Sequence, residues 1–196
     1  MKQTRPQQRE STRRAIVAAT LTSLARRGYA GTTIASIAGD IGLSRGAMLH
    51  HFPTKVELVT GAIRDELNIV KARLARDIPG FLAQPDPVGA ALDRLYEEFS
   101  GVLASASLAA EVAARGDPDL DDALTPLFNE LRSDLDQWAP LVLRDQPVDS
   151  IPQITRFVMA VLRGIMIEEP LDADGPRNLE TWLFAREFIV KALREG

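Results

Sequence analysis

The 196-residue chain contains no cysteine, so it can form no disulfide, no thiolate nucleophile and no zinc finger. Histidine is almost as scarce. His50 and His51 are the only two, and neighbours on a helix point about 100° apart, so they cannot share a metal in the i, i+4 manner. The chain has no Glu-x-x-His, no Gly-x-Gly-x-x-Gly and no phosphate loop ending in Gly-Lys-Ser/Thr. The acid pairs Glu97-Glu98 and Glu168-Glu169 are adjacent on helical segments, where carboxylates mostly sit in solvent. An enzyme, a metal site and a bound cofactor are therefore not expected. The sequence also offers no 18-residue apolar run, and MKQTRPQQRESTRR carries charge without the apolar stretch of a signal peptide. The expectation is a cytoplasmic protein with no membrane partner, whose 45% hydrophobic residues suffice for a real core.

What the chain does have is a polarised charge. Residues 1–55 hold nine Lys and Arg against two acids, a net of +7, while residues 56–196 hold 14 basic and 25 acidic residues, a net of −11. Phosphates attract the first segment whatever their base sequence, and the second repels them.

Inside the basic segment, TIASIAGDIGLSRGAMLHHF at residues 33–52 forms two short helical patterns hinged at Gly42. Ile34, Ile37, Ala38 and Ile41 make an apolar stripe after Thr33, a natural N-cap. Gly42 can enter a left-handed turn at little cost, and Leu43 fills the elbow. Ser44 caps the next helix, whose Met48 and Phe52 face inward and whose Arg45, Gly46, Ala47, His50 and His51 are left outward. That is the outline of a helix-turn-helix, and it makes double-stranded DNA the leading partner.

The run GYAGTTIASIAGDIGLSRGAMLHHFPTKVELV resembles the DNA-binding domain of the TetR family of transcriptional regulators. The likeness spans roughly Thr12 to Leu67, the first third of the chain, and its elements come in the family's order. It implies an all-α homodimer with an N-terminal three-helix DNA-binding domain and a divergent helical ligand-binding and dimerisation domain, repressing transcription until a small molecule releases it. It also places Thr33 and Lys55 on phosphates, Ser44, Arg45, Gly46 and Ala47 at the groove-facing start of the recognition helix, and His50 and His51 near the backbone. Leu49 departs from the tyrosine usual there and keeps only an apolar contact. Arg45 could grip guanine with two parallel bonds, a discrimination of about 1–3 kcal/mol, or clamp a phosphate.

The remaining chain reads as helix after helix. Residues 1–9 are expected to be a disordered basic arm, 10–55 the DNA-binding domain and 56–196 the regulatory and dimerisation domain. The first helix should run from Glu10 to Arg27, with Gly28 ending it. Thr54 and Glu57 announce a long fourth helix ending near Asp77, before breaks at Pro79-Gly80 and Pro85-Asp86-Pro87. One helix then passes through Leu92, Leu95, Tyr96, Phe99, Val102 and Leu103. Another follows Asp117-Pro118, bent at Pro126. Pro147 and Pro152, then Pro170 with Gly175-Pro176, divide off two last helices.

These last helices are apolar on two sides, so each must lie central in its own domain or meet a second copy. Phe157, Val161, Ile165, Trp182, Phe184, Phe188 and Ile189 are the expected dimer contacts. Tyr96, Phe99, Arg115, Phe128, Trp138, Met159, Arg163 and Met166 are the candidates to line an effector pocket, a mixture of apolar walls and a few polar anchors. The competing view is a dimeric helical module that binds a ligand or partner without binding DNA.

Overall fold

In the computed structural model residues 4–168 and 177–195 are described, and among them every regular element is helical. In chain order these are α1 (Arg5–Gly31), α2 (Ile34–Asp40), α3 (Arg45–His51), α4 (Lys55–Leu82), α5 (Pro87–Phe99), α6 (Val102–Ala114), α7 (Pro118–Val142), α8 (Ile151–Glu168) and α9 (Arg177–Glu195), with a 3-10 turn at Val148–Ser150. Contacts divide the chain into two compact units, Met1–Ile69 with Ser105–Phe128, and Val70–Ala104 with Asn129–Gly196. The division falls inside helices rather than after residue 55, and residues 105–128 pack with the N-terminal unit.

The first helix starts earlier than the sequence suggests. The Thr4 hydroxyl accepts from the Gln7 N–H at 3.5 Å while the Gln7 side chain accepts from the Thr4 N–H at 2.9 Å, a capping box with Pro6 in the first turn. Residues 5–9 are therefore helical and not a disordered arm. Gly28, at φ 66°, interrupts the helix as expected, before one further turn to Gly31.

The first unit has a core built where α1, α2, α3 and the start of α4 converge. Ile16, Ile37, Ala38, Met48, Phe52 and Leu58 are buried together, with Ala19, Ile34, Ile41 and Leu43 packed around them. Arg13 of α1 grips Asp65 of α4 with both ends of its fork, Nε–Oδ2 at 2.7 Å and Nη2–Oδ1 at 3.0 Å. This pair ties the two helices across the core.

Two expected boundaries moved. The helix does not end before Pro79-Gly80: α4 continues to Leu82, because Leu74 is buried before the proline and Phe81 half-buried after it. That packing offsets the roughly 3 kcal/mol a proline costs in a helix interior. The helix after Asp117-Pro118 continues through Pro126, where no end is expected, and past Pro140 to Val142. Conversely, the single helix expected through Leu103 is two, because the Ser100 hydroxyl donates to the Tyr96 carbonyl at 2.6 Å and Gly101 follows. The cap at Asp86 forms as expected, its carboxylate accepting from the Gly89 N–H at 3.2 Å, and Asp117 does the same for α7 with Leu120 at 3.1 Å. The expected breaks at Pro170 and Gly175-Pro176 lie outside the described residues.

In the second unit Leu92, Val158, Leu162, Ile165, Trp182, Ile189 and Val190 form the core, and Tyr96 stacks on Trp182 with ring centres 5.0 Å apart. Within Val148–Ile167 the mean hydropathy reaches 1.3, which by length and composition alone is enough to cross a membrane, although Arg156 and Arg163 interrupt the segment. In this unit α8 packs on α5 and α9, and it carries Arg156 and Arg163.

An ionic cluster joins α4 to α5 in the same unit. Arg73 reaches Glu98 at 2.8 and 2.5 Å, while Arg94 pairs with the same carboxylate and with Asp77 at 3.0 Å. The Glu98 side chain is 6% exposed. Removing its charge leaves two guanidiniums without their shared partner, so Glu98→Gln is expected to lower the unfolding free energy by about 2 kcal/mol, measured by urea titration.

Candidate functional site

Two seven-residue helices carry the candidate reading surface, and local bonds define both. At the entry to α2, Thr33 Oγ1 accepts from the Ser36 N–H at 3.0 Å and Ser36 Oγ accepts from the Thr33 N–H at 3.0 Å. At its exit the Gly42 N–H donates to the Gly39 carbonyl at 3.3 Å and the Leu43 N–H to the Ala38 carbonyl at 2.9 Å. This is a Schellman turn, and it places Gly42 at φ 68°, the left-handed region. The chain then re-enters a helix at once, with Ser44 Oγ accepting from the Ala47 N–H at 3.1 Å.

The inward side of α3 is fixed by Met48, which has no exposed surface, and by Phe52 just beyond it. Thr33, Ser44, Arg45, Gly46 and His50 are consequently exposed, and Leu49 is 37% exposed. Ala47, His51 and Lys55 are half-buried. Desolvation lowers the pKa of His51 below its ordinary 6.5, and the charges of Arg9, His50 and Arg13 lower it further. Lys55 sits with its ammonium 3.8 Å from the centre of the Tyr29 ring. Burial lowers its pKa, and Asp117 partly offsets that. The Tyr29 hydroxyl in turn donates to Asp117 at 3.3 Å, and burial with that carboxylate pushes Tyr29 up to about 12.

The basic residues of this unit divide into two kinds. Arg13 is spent on Asp65 and lies 4.9 Å over the Phe52 ring, and Arg27 pairs with Asp40 and donates to Ser23 at 3.1 Å. Arg5, Arg9, Arg26 and Arg45 have no ion pair among the described residues. The sequence gives no sign of the Tyr29–Asp117 contact, which joins residues 88 apart. The Arg13–Asp65 clamp is separated by 52 residues and is equally invisible there.

The second unit holds a partly open pocket of about 100 Å³, lined by residues of α4, α5, α7, α8 and α9. Of the eight residues expected around a pocket, Trp138 and Met159 line it. Tyr96 and Phe99 pack against the adjacent core instead, Met166 is buried, and Arg163 is half-buried outside the lining. Arg115 and Phe128 belong to the other unit and do not line this pocket. Leu74, Ile78 and Phe81 of α4, which sequence reasoning did not single out, belong to the wall because the helix continues past Pro79.

The residues expected at a dimer contact also separate. Ile165, Trp182 and Ile189 are buried in the core of their own chain, so they are not a free face. Val161 is half-buried there. Phe157, Phe184 and Phe188 are exposed, the last two at 74% and 60%, alongside Ile167, Leu179 and Leu183. The inward stripe of α8 is Val158, Leu162 and Ile165, which leaves Phe157 on the opposite side.

The model of a family described as bacterial regulatory proteins, tetR family, matches residues 16–62. The HTH-type transcriptional regulator CymR of Pseudomonas putida is 31% identical over 185 residues, 91% of each chain. The chain belongs to the tetR family. It is a DNA-binding transcriptional regulator, and the surface of α2 and α3 is its helix-turn-helix. Among solved structures, a TetR-family transcriptional regulator from Mesorhizobium loti shares the fold at a TM-score of 0.74 with 18% identity, over 97% of each chain. FadR from Bacillus subtilis, in complex with stearoyl-CoA, shares it at 0.70 with 11% identity, over 92% of this chain and 96% of that one.

Two measurements probe the geometry of the regulator's head. Gly42→Ala forces a Cβ into the left-handed turn and is expected to cost about 1 kcal/mol of unfolding free energy, read by chemical denaturation. For His51, an NMR titration should give a midpoint below 6.5. Because the folded value lies under the unfolded one, the neutral imidazole's contribution is fully present above pH 6.5 and is lost as pH falls through the interval down to the folded midpoint.

Proposed function

We propose that this regulator is a homodimeric repressor that grips a palindromic operator with two copies of α3 and is released by a small molecule held in its second unit. The observation that carries the DNA half is the exposed Ser44-Arg45-Gly46 turn on a helix pinned from behind by Met48 and Phe52. Arg45, unpaired among the described residues, reads a base edge; Thr33, Lys55, His50 and His51 meet phosphates; Ala47 and Leu49 make apolar contact in the groove. The protein acts by binding in the cytoplasm, with no catalytic step and no membrane partner.

Support for the dimer is the unpartnered apolar surface of Phe157, Ile167, Leu179, Leu183, Phe184 and Phe188 on α8 and α9. At about 25 cal/mol per Å² of apolar burial, pairing that surface with its twofold mate offsets the cost of association. Two reading helices then stand about one DNA turn apart or a multiple of it. Support for the effector is the apolar pocket with Trp138 and Met159 on its wall. The helix that begins at Lys55 also supplies Leu74, Ile78 and Phe81 to that wall, so an effector that favours one setting of α4 changes the half-site spacing the dimer prefers.

A gel-shift titration with a duplex library at several salt concentrations tests the DNA half. Selective binding of two chains per duplex is expected, with Arg45→Ala lowering operator affinity at least tenfold while non-specific binding falls far less. Uniform loss across all sequences would assign Arg45 to a phosphate instead. In sedimentation, the double variant Phe184→Glu, Phe188→Glu is expected to run as a monomer at micromolar concentration while the wild type runs as a dimer.

A further inference from the structure

The cavity of the second unit has a wall without a single titratable side chain. Only Thr155 and Trp138 bring hydrogen-bonding side-chain groups to it, and Thr155 Oγ1 already donates to the Ile151 carbonyl at 3.0 Å. An adjoining recess that shares Val88, Val142, Leu143 and Leu193 with the cavity is lined by Asp86, Arg144, Asp145 and Arg194. There Asp86 is held by Arg194 at 3.2 Å and by Arg186 at 3.4 Å, and the Arg144 guanidinium donates to the Leu141 carbonyl at 3.1 Å.

From this we infer that the cavity takes a neutral, apolar molecule about the size of one six-membered ring, and that it rejects ions of either sign. The inference deepens the effector reading above and rests on it only for the consequence on DNA, not for the binding itself. A charge moved from water into this space would lose its hydration and meet no partner. An uncharged ring loses nothing comparable and gains contact with the aliphatic and aromatic walls of the partly open pocket. Size is compatible with this. An apolar cavity of about 150 Å³ accepts benzene, and the 100 Å³ here is bounded by Met159, whose unbranched thioether can shift to admit a substituted ring. Thr155 keeps acceptor capacity, so a single hydroxyl on the ligand is tolerated.

The test is a calorimetric titration of the full-length protein with toluene, benzoate and benzylammonium, three molecules of one ring size that differ in charge. Toluene is expected to bind at least tenfold more tightly than either ion. Two variants check the location. Ala139→Leu grows a wall residue into the space and should weaken toluene at least tenfold, and Met159→Ala enlarges the space and should shift preference from toluene toward naphthalene. Benzoate or benzylammonium binding as tightly as toluene overturns the inference, as does the absence of toluene binding to the wild type. So does toluene binding that neither variant alters. Operator release is read separately by gel shift. Toluene that binds as expected but leaves the operator complex intact upholds the site and sinks the effector reading alone.

Discussion

Everything at the DNA-facing end depends on the burial of Met48 and Phe52. A helix of seven residues is well below the length of about 12–15 at which an isolated helix becomes even marginal in water. The reading helix therefore exists because its back is packed against Ile16, Ile37 and Leu58 and because Ser44 and the Gly42 turn supply its first bonds. Anchor and reading face alternate along the same two turns. Met48 inward fixes Leu49 and His50 outward, and the cap at Ser44 fixes where Arg45 begins. A change that loosens the core rotates the reading surface before it unfolds the protein.

The charge of that end needs the same distinction between scaffold and surface. A net of +7 over residues 1–55 already counts Asp40, which Arg27 holds, but it overstates what a duplex would meet because Arg13 is bound to Asp65 beyond that stretch. Their role is to hold α1 against α4 and against α2. Lys55 occupies a middle position. Its stem is half-buried and its ammonium rests on the Tyr29 face, so the position of the charge is set by a ring that is itself held by Asp117. A phosphate contact made from such a position loses less side-chain freedom on binding than one made by a free lysine.

How much of this was legible in the chain follows from the range of the interactions. The helix-turn-helix was readable because each of its determinants is local: the Thr33 and Ser44 caps act within three residues, Gly42 acts at one, and the Met48–Phe52 spacing acts within a turn. The same holds for the caps at Asp86 and Asp117. Prolines were a poorer guide. Pro79 removes a backbone bond, yet the flanking apolar residues are held by tertiary packing, which decides the matter and cannot be seen in a local window. The rotation of α8 and α9 was illegible for a related reason. A helix apolar on two sides does not declare which side faces its own chain, and only the structure separates Trp182 and Ile189 from Phe184 and Phe188.

That separation changes what dimerisation means for this protein. The second unit completes its core within one chain: Tyr96 stacks on Trp182, the Trp182 indole N–H donates to Asp93 at 3.4 Å, and Arg186 reaches the same carboxylate at 2.7 Å. Among the described residues that core is closed by contacts within one chain. In the proposed dimer a second copy would cover additional surface, led by Phe184, whose exposure otherwise keeps about 25 cal/mol per Å² of apolar area in contact with water. In the proposed dimer, folding and assembly would be separable steps, and dilution would weaken the grip on DNA by separating two intact heads before it destabilised either one. The proposed effector would have the same opportunity. It need not unfold or dissociate anything, because two heads that each still fold and still bind phosphate would lose the operator once their separation no longer matched the half-sites.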